Sequence, residues 1–132
     1  PLIAATAGNV GVQSSAIVVQ GLASGSMGNV KLAPRMWKEL RVALLTALVC
    51  GAAIFAINFA LEQTQALTYT VSIALFTVIL TAAMFGTVIP LLLDRLKVDP
   101  ALATGPFVTT LNDIFGLLTY FTVGHLMYGI LT

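Results

Sequence analysis

Asp113 is the only charged side chain between Asp99 and the C-terminus at Thr132. It stands in "TGPFVTTLNDIFGLLTYF", residues 104–121, a segment that otherwise suits lipid. Insertion scales put a central membrane Asp at about +2.5 to +3.5 kcal/mol. The long apolar stretches contain no Lys or Arg, so no basic partner is expected at its depth. A cation or water is the expected counterpart. At helical spacing Asp113 shares a stripe with Pro106, Thr109, Thr110, Gly116, Leu117 and Tyr120. Phe107, Leu111, Phe115, Leu118 and Phe121 take the other side. The stripe should therefore face protein or a watery cavity. Asn112 adjoins the carboxylate and offers an amide oxygen. A second polar row lies in "GNVGVQSS", residues 8–15. Asn9 and Gln13 fall on one face with Thr6, Ala16 and Gln20, and Gly8, Gly11 and Ser15 form a neighbouring row. Small residues let helices approach closely in a bilayer, and polar ones bond across them.

The candidate ligands are carboxylate, amide, hydroxyl and backbone oxygens: Asp113, Asn112, Thr109 and Thr110 on one segment, Gly8, Asn9 and Gln13 on the other. Such donors suit Mg, Ca or Mn rather than soft metals. Zinc or copper would want His and Cys, and Cys50 and His125 are single and far apart. One Asp per chain is too little for a tight divalent cage. A two-fold homodimer would bring two Asp113 carboxylates to one axis, and symmetric dimers are the commonest oligomers. Mg²⁺ sheds water reluctantly, so outer-shell acceptors there could pass it largely hydrated, with Mn²⁺ or Co²⁺ as further candidates.

These residues need elements long enough to cross a membrane. The chain is 58% hydrophobic and 8% charged, with a mean hydropathy of +1.00. Soluble domains carry roughly a quarter charged residues. A spanning helix needs about 20 apolar residues. Val71–Leu93 supplies 23 without a charge, Val42–Leu61 supplies 20, and Pro106–Leu131 supplies 26 broken only by Asp113 and His125. The reading is an all-α, polytopic membrane bundle, a single transmembrane domain over 1–132. Its four spans are about 1–25, 37–62, 67–95 and 105–131, with no soluble domain. Pro90 predicts a kink in the third. Lys31, Arg35, Lys38 and Arg41 cluster between the first span and the start of the second, and Arg95 and Lys97 lie between the third and the fourth. "EQTQALT", residues 62–68, has no basic residue. The positive-inside rule then makes 26–41 and 94–105 cytoplasmic and both termini external. Trp37 among the charges suits an interfacial anchor.

"PLIAATAGNVGVQSS", "GLASG", "WKELRVAL" and "DPALATGPFVTTLNDIFGLLTYF" together resemble the transmembrane domain of the MgtE family of magnesium channels. The resemblance covers the first, second and fourth spans and the cytoplasmic end of the third. It implies five transmembrane helices per subunit, a homodimer, and a pore at the dimer axis lined by the family's second and fifth helices. It also implies a hydrated Mg²⁺ bound by the Asp that Asp113 matches; Asn9 falls in the matching motif of the second helix. Ala43 and Ala47 stand where the family commonly has glycines, with Gly51 kept. The family's first helix and its cytoplasmic regulatory domains would lie outside these residues. An inner, plasma-membrane location follows from the same resemblance.

Glu39 is the other acid of interest. It opens the second span beside Arg35, Lys38 and Arg41, where it reads either as an interfacial ion pair or as a cation site at the cytoplasmic mouth. The expected function is conduction of Mg²⁺, not catalysis: an intramembrane aspartyl protease needs two acids at depth, and one chain has one. A Na⁺- or H⁺-coupled cation transporter and a non-conducting scaffold are the alternatives. Nothing supports nucleotide, haem or nucleic-acid binding.

Overall fold

The structure, a computed structural model, describes residues 2–26 and 32–131. Four long helices follow one another: α1 (Leu2–Ala23), α2 (Leu32–Ala60), α3 (Gln65–Arg95) and α4 (Pro106–Leu131). A short 3-10 turn, Pro100–Ala103, joins α3 to α4. All four helices are long and apolar enough to cross a membrane. In hydrocarbon every backbone N–H and C=O must be satisfied within the segment, and a helix does this. Several helical hydroxyls follow the same rule, whereas the buried hydroxyls of Thr70, Ser72 and Thr87 have no partner among the described residues. Thr46, Thr81, Thr109 and Thr122 each donate to a backbone carbonyl one turn earlier.

Local signals set the ends. Thr64 caps α3, its hydroxyl accepting from the Leu67 amide. Arg95 lies in the last turn of α3, where a cation complements the helix dipole. The chain then turns at Lys97, φ 60°. Asp99 caps the 3-10 turn by accepting from the Ala101 amide at 2.9 Å. Pro106 opens α4, where its missing N–H costs nothing.

The expected spans are found with shifted ends, and α2 shifts most. It begins at Leu32, so Arg35, Lys38 and Arg41 belong to its first turns and not to a preceding loop. Long basic side chains tolerate this position because they reach back to the interface. Arg41 also lies over the Trp37 ring, 5.4 Å from its centroid. Lys31 lies outside the described residues. α2 and α3 run antiparallel, so Arg35, Lys38 and Arg41 share one end of the bundle with Arg95, here termed the basic end. α3 is a continuous helix on both sides of Pro90. The carbonyl that loses its helical donor to Pro90 is that of Gly86, four residues back.

α3 is the hub. It packs against α1, α2 and α4, and α1 packs against α4. Leu75, Val78, Ile79, Ala82 and Ala83 are buried along it. On α2 the facing stripe is Ala43, Ala47 and Gly51, all buried, so alanine does serve where glycine was anticipated. The rest of α2 is largely exposed, with Leu45, Val49 and Phe59 more than half accessible. α1, α3 and α4 cross most closely at Gly11, Gly86 and Asn112. A methyl group on Gly86 would meet the Gly11 carbonyl and stand 2.9 Å from Ser14 Cβ. One on Gly11 would overlap the Asn112 amide. Dispersion and close backbone approach replace the hydrophobic effect as the glue between helices in lipid.

Candidate ion groove

Sequence spacing put Asp113 on a stripe facing protein or a watery cavity, and in the structure it stands beside the buried line of α4. Val108, Asn112 and Gly116 face inward, and Asp113 is half-buried at their edge. The same holds on α1. Gly8, Gly11, Ser14, Ser15 and Val18 are buried against the neighbours, while Asn9, Gln13 and Gln20 are exposed. The two edges meet. An open groove of about 490 Å³ runs between α1 and α4, lined on α1 by Gly8, Asn9, Val12 and Gln13 and on α4 by Thr109 and Asp113. Ala4 and Ala5 complete its wall.

Gly8 sets the width of the groove. A methyl group there would stand 3.3 Å from Thr109 Cγ2, so the absence of a side chain lets α4 lie close. The Thr109 hydroxyl donates to the Gly105 carbonyl at 3.0 Å. Its oxygen keeps acceptor capacity toward the groove. Among the described residues no donor or cation is bonded to the Asp113 carboxylate. Nor do three or more His, Cys, Asp or Glu side chains cluster among them. The groove therefore offers one carboxylate, two amides and a hydroxyl, all hard oxygen donors apart from the amide nitrogens.

Five of the eight expected ligands are thus brought together: Gly8, Asn9, Gln13, Thr109 and Asp113. Three lie elsewhere. Thr110 is exposed and does not line the groove. Asn112 is 2% exposed, packed over Gly11, and its amide nitrogen has no partner. Glu39 belongs to the basic end. Its Oε1 accepts from Ser14 Oγ at 2.5 Å, and its Oε2 lies 3.6 Å from Arg35 Nη2. Of the two readings of Glu39, an ion pair or a cation site, the structure shows the ion pair, with both side chains largely buried. Sequence spacing places Ser15 in a small-residue row beside the polar face and gives Ser14 no role. Both tie α1 to other elements, Ser15 by donating to the Ala103 carbonyl. Adjacent serines in an apolar span were the available signal, since each needs an acceptor in lipid.

Residues 1–123 match the MgtE family, described as "Divalent cation transporter". The chain belongs to the MgtE family. The Magnesium transporter MgtE of Bacillus subtilis is 37% identical over 123 residues, 93% of this chain and 27% of that relative. The protein of the same name from Enterococcus faecalis is 34% identical over 125 residues, 95% of this chain and 28% of its own length. That of Thermus thermophilus is 32% identical over 127 residues, 96% of this chain and 28% of its own length. The chain thus spans a little over a quarter of the length of these MgtE relatives. The matched region contains every residue of the groove.

Proposed function

We propose that this chain forms the membrane-embedded path of a Mg²⁺ channel or transporter, with Asp113 as its central ion site. The observation that carries the proposal is the groove that unites Asp113, Thr109, Asn9, Gln13 and Gly8 on the open face of α1 and α4. One carboxylate is a poor divalent cage. Two related by a two-fold axis supply two negative charges around an ion that keeps its water. A homodimer joined along α1 and α4 closes the open groove into such a path. Amides and hydroxyls then contact the hydration shell, and Asp113 supplies the charge. Mn²⁺ and Co²⁺ should pass with Mg²⁺, because outer-shell oxygens discriminate weakly among hydrated divalent ions. The basic end faces the cytoplasm under the positive-inside rule, which places both ends of the described chain on the outer side of the plasma membrane. The family helix that precedes α1 and the cytoplasmic regulatory domains would complete the protein.

The test is divalent uptake into liposomes or a cation-starved host at equal membrane expression. Asp113→Asn keeps the side-chain size and removes the charge, so it should fold and fail to transport. Wild-type transport by this variant would sink the central site. Uptake should also persist without a Na⁺ or proton gradient; strict dependence on either would replace the channel by a coupled transporter.

A further inference from the structure

The face formed by α2 and α3 carries a second feature, away from the ion groove. At the end opposite the basic end, where α2 turns into α3, an open pocket of about 440 Å³ is lined by Phe55, Phe59, Glu62, Gln63, Gln65 and Tyr69. Phe55 and Tyr69 form a tilted ring pair, centroids 5.8 Å apart. Glu62 takes the left-handed conformation at φ 54°, which few non-glycine residues adopt. No Lys or Arg occurs between Arg41 and Arg95, so the pocket holds one carboxylate and no basic residue of the intervening sequence. From this pocket a shallow apolar groove of about 330 Å³ runs toward the middle of the bundle. Its floor is Ala47, Gly51 and Ala52, its walls Ile73 and Phe76, and it shares Phe55 and Tyr69 with the pocket above.

We infer that this continuous slot binds a phospholipid whose headgroup carries an ammonium, such as phosphatidylethanolamine, with the amine in the pocket and an acyl chain in the groove. The shape matches part by part. Small residues leave an open apolar groove along α2, on a face of a helix long enough to cross the bilayer. The polar pocket begins where the groove ends, at the level where Tyr belongs in a membrane. A carboxylate with aromatic faces attracts an ammonium by charge and by cation–π contact, and it repels an anionic headgroup. An ordinary lipid-facing helix surface explains the apolar half but not the Glu62 and ring pair at its head. The inference is independent of the ion site.

The test is native mass spectrometry of the purified protein with equimolar phosphatidylethanolamine and phosphatidylglycerol bearing identical acyl chains. Phosphatidylethanolamine should be retained preferentially. Glu62→Gln should lower that preference about threefold, the size of an exposed charge pair. Ala52→Trp, at an exposed position, should fill the groove and reduce retention of both lipids. Soluble ethanolamine at matched concentration should compete poorly, because it lacks the chain. Equal retention of the two lipids, or a preference untouched by Glu62→Gln, would overturn the headgroup assignment. Full competition by ethanolamine, or unchanged retention in Ala52→Trp, would overturn the acyl groove. Asp113→Asn should leave every one of these readings as in wild type.

Discussion

Asp113 and Glu39 are both partly buried acids on long apolar helices, and their surroundings differ in one respect. Glu39 has an internal partner for each oxygen: Ser14 at 2.5 Å and Arg35 at 3.6 Å. Asp113 has none among the described residues and lines an open groove with two amides and a hydroxyl. A buried charge needs compensation wherever it lies. Glu39 finds it inside the chain and fastens α2 to α1. Asp113 must find it outside the chain, in water, an ion or a second copy. A carboxylate left without a partner in a span is costly, and such residues are by default functional. The contrast separates a structural tie from a proposed ion site without reference to depth or to sequence position.

The largest expected effect breaks the contrast directly. Asp113→Asn should lower divalent uptake by more than about tenfold, since a central charged ligand contributes at least the roughly 1.5–3 kcal/mol of a charge-assisted contact. Thermal stability should hold or rise, because an uncompensated charge is removed. Uptake assays and melting in detergent read the two effects separately. Equal losses for Asp113→Asn and Glu39→Gln would erase the distinction.

A second variant tests whether the groove depends on the helix crossing behind it. Gly86→Val places methyl groups against the Gly11 carbonyl and Ser14. Overpacking of this kind costs about 1–3 kcal/mol. It should lower the melting temperature and push α1 away from α3, which would misplace Asn9 and Gln13 relative to Asp113. Gly51→Ala is the control. Its methyl would lie 3.7 Å from the Ser72 carbonyl and 3.9 Å from Phe76 Cβ, ordinary contacts, so stability should be unchanged.

The four helices were legible because 20 or more apolar residues have few other uses. Their faces were less so. In water an apolar stripe marks the core, but in lipid apolar residues lie on both sides, and small residues mark the packed side. Reading polarity first grouped Asp113 with Thr109, Thr110 and Gly116, whereas the buried line runs through Val108, Asn112 and Gly116 with Asp113 at its edge. The same logic explains Thr110. It is polar yet exposed, as is Thr122, whose hydroxyl donates to the Leu118 carbonyl. The early start of α2 was hidden by its charges, which argue against a span but not against a helix. The 3-10 turn had a readable signal in Asp99-Pro100, an N-cap followed by a proline at N1. Helical periodicity grouped Asn9 with Gln13 on one face of α1, but the groove that sets them beside Asp113 depends on how α1 packs against α4. The partner of Glu39 on α1 needed three-dimensional packing, because Ser14 lies 25 residues away in sequence.

Acidity offers a third and smaller effect. A divalent ion binds the ionised carboxylate, so protons compete with it and binding releases them. Apparent Mg²⁺ affinity should therefore fall as pH is lowered, by no more than about tenfold per unit for each carboxylate that must lose a proton. Calorimetry in buffers of different ionisation enthalpy would count the protons. A Mg²⁺ affinity independent of pH would remove carboxylates from the binding step.

The smallest effect concerns the tie at the basic end. In Glu39→Gln the amide oxygen can still accept from Ser14, and only the pairing with Arg35 is lost. That pairing spans 3.6 Å, and the Arg35 Nε already has no partner, so the guanidinium is incompletely bonded in the wild type. A loss of about 1 kcal/mol is expected, with uptake within about twofold of wild type. Ser14→Ala removes the other bond and should cost a similar amount, since a hydrogen bond to a charged acceptor contributes about 1.5–3 kcal/mol at most and the carboxylate keeps Arg35. The two losses should not add. Once Ser14 is gone, the carboxylate is held only by a residue of its own helix, and α2 loses its polar tie to α1. Replacing Glu39 then removes a charge that no longer joins two elements. The double variant should be less destabilised than the sum by about 0.5–1 kcal/mol. Strict additivity in melting experiments would mean that the Ser14 hydroxyl bonds the Glu39 carboxylate no more strongly than the Gln amide. A large loss of uptake with unchanged stability would instead make Glu39 part of the ion path, and the contrast with Asp113 would have to be withdrawn.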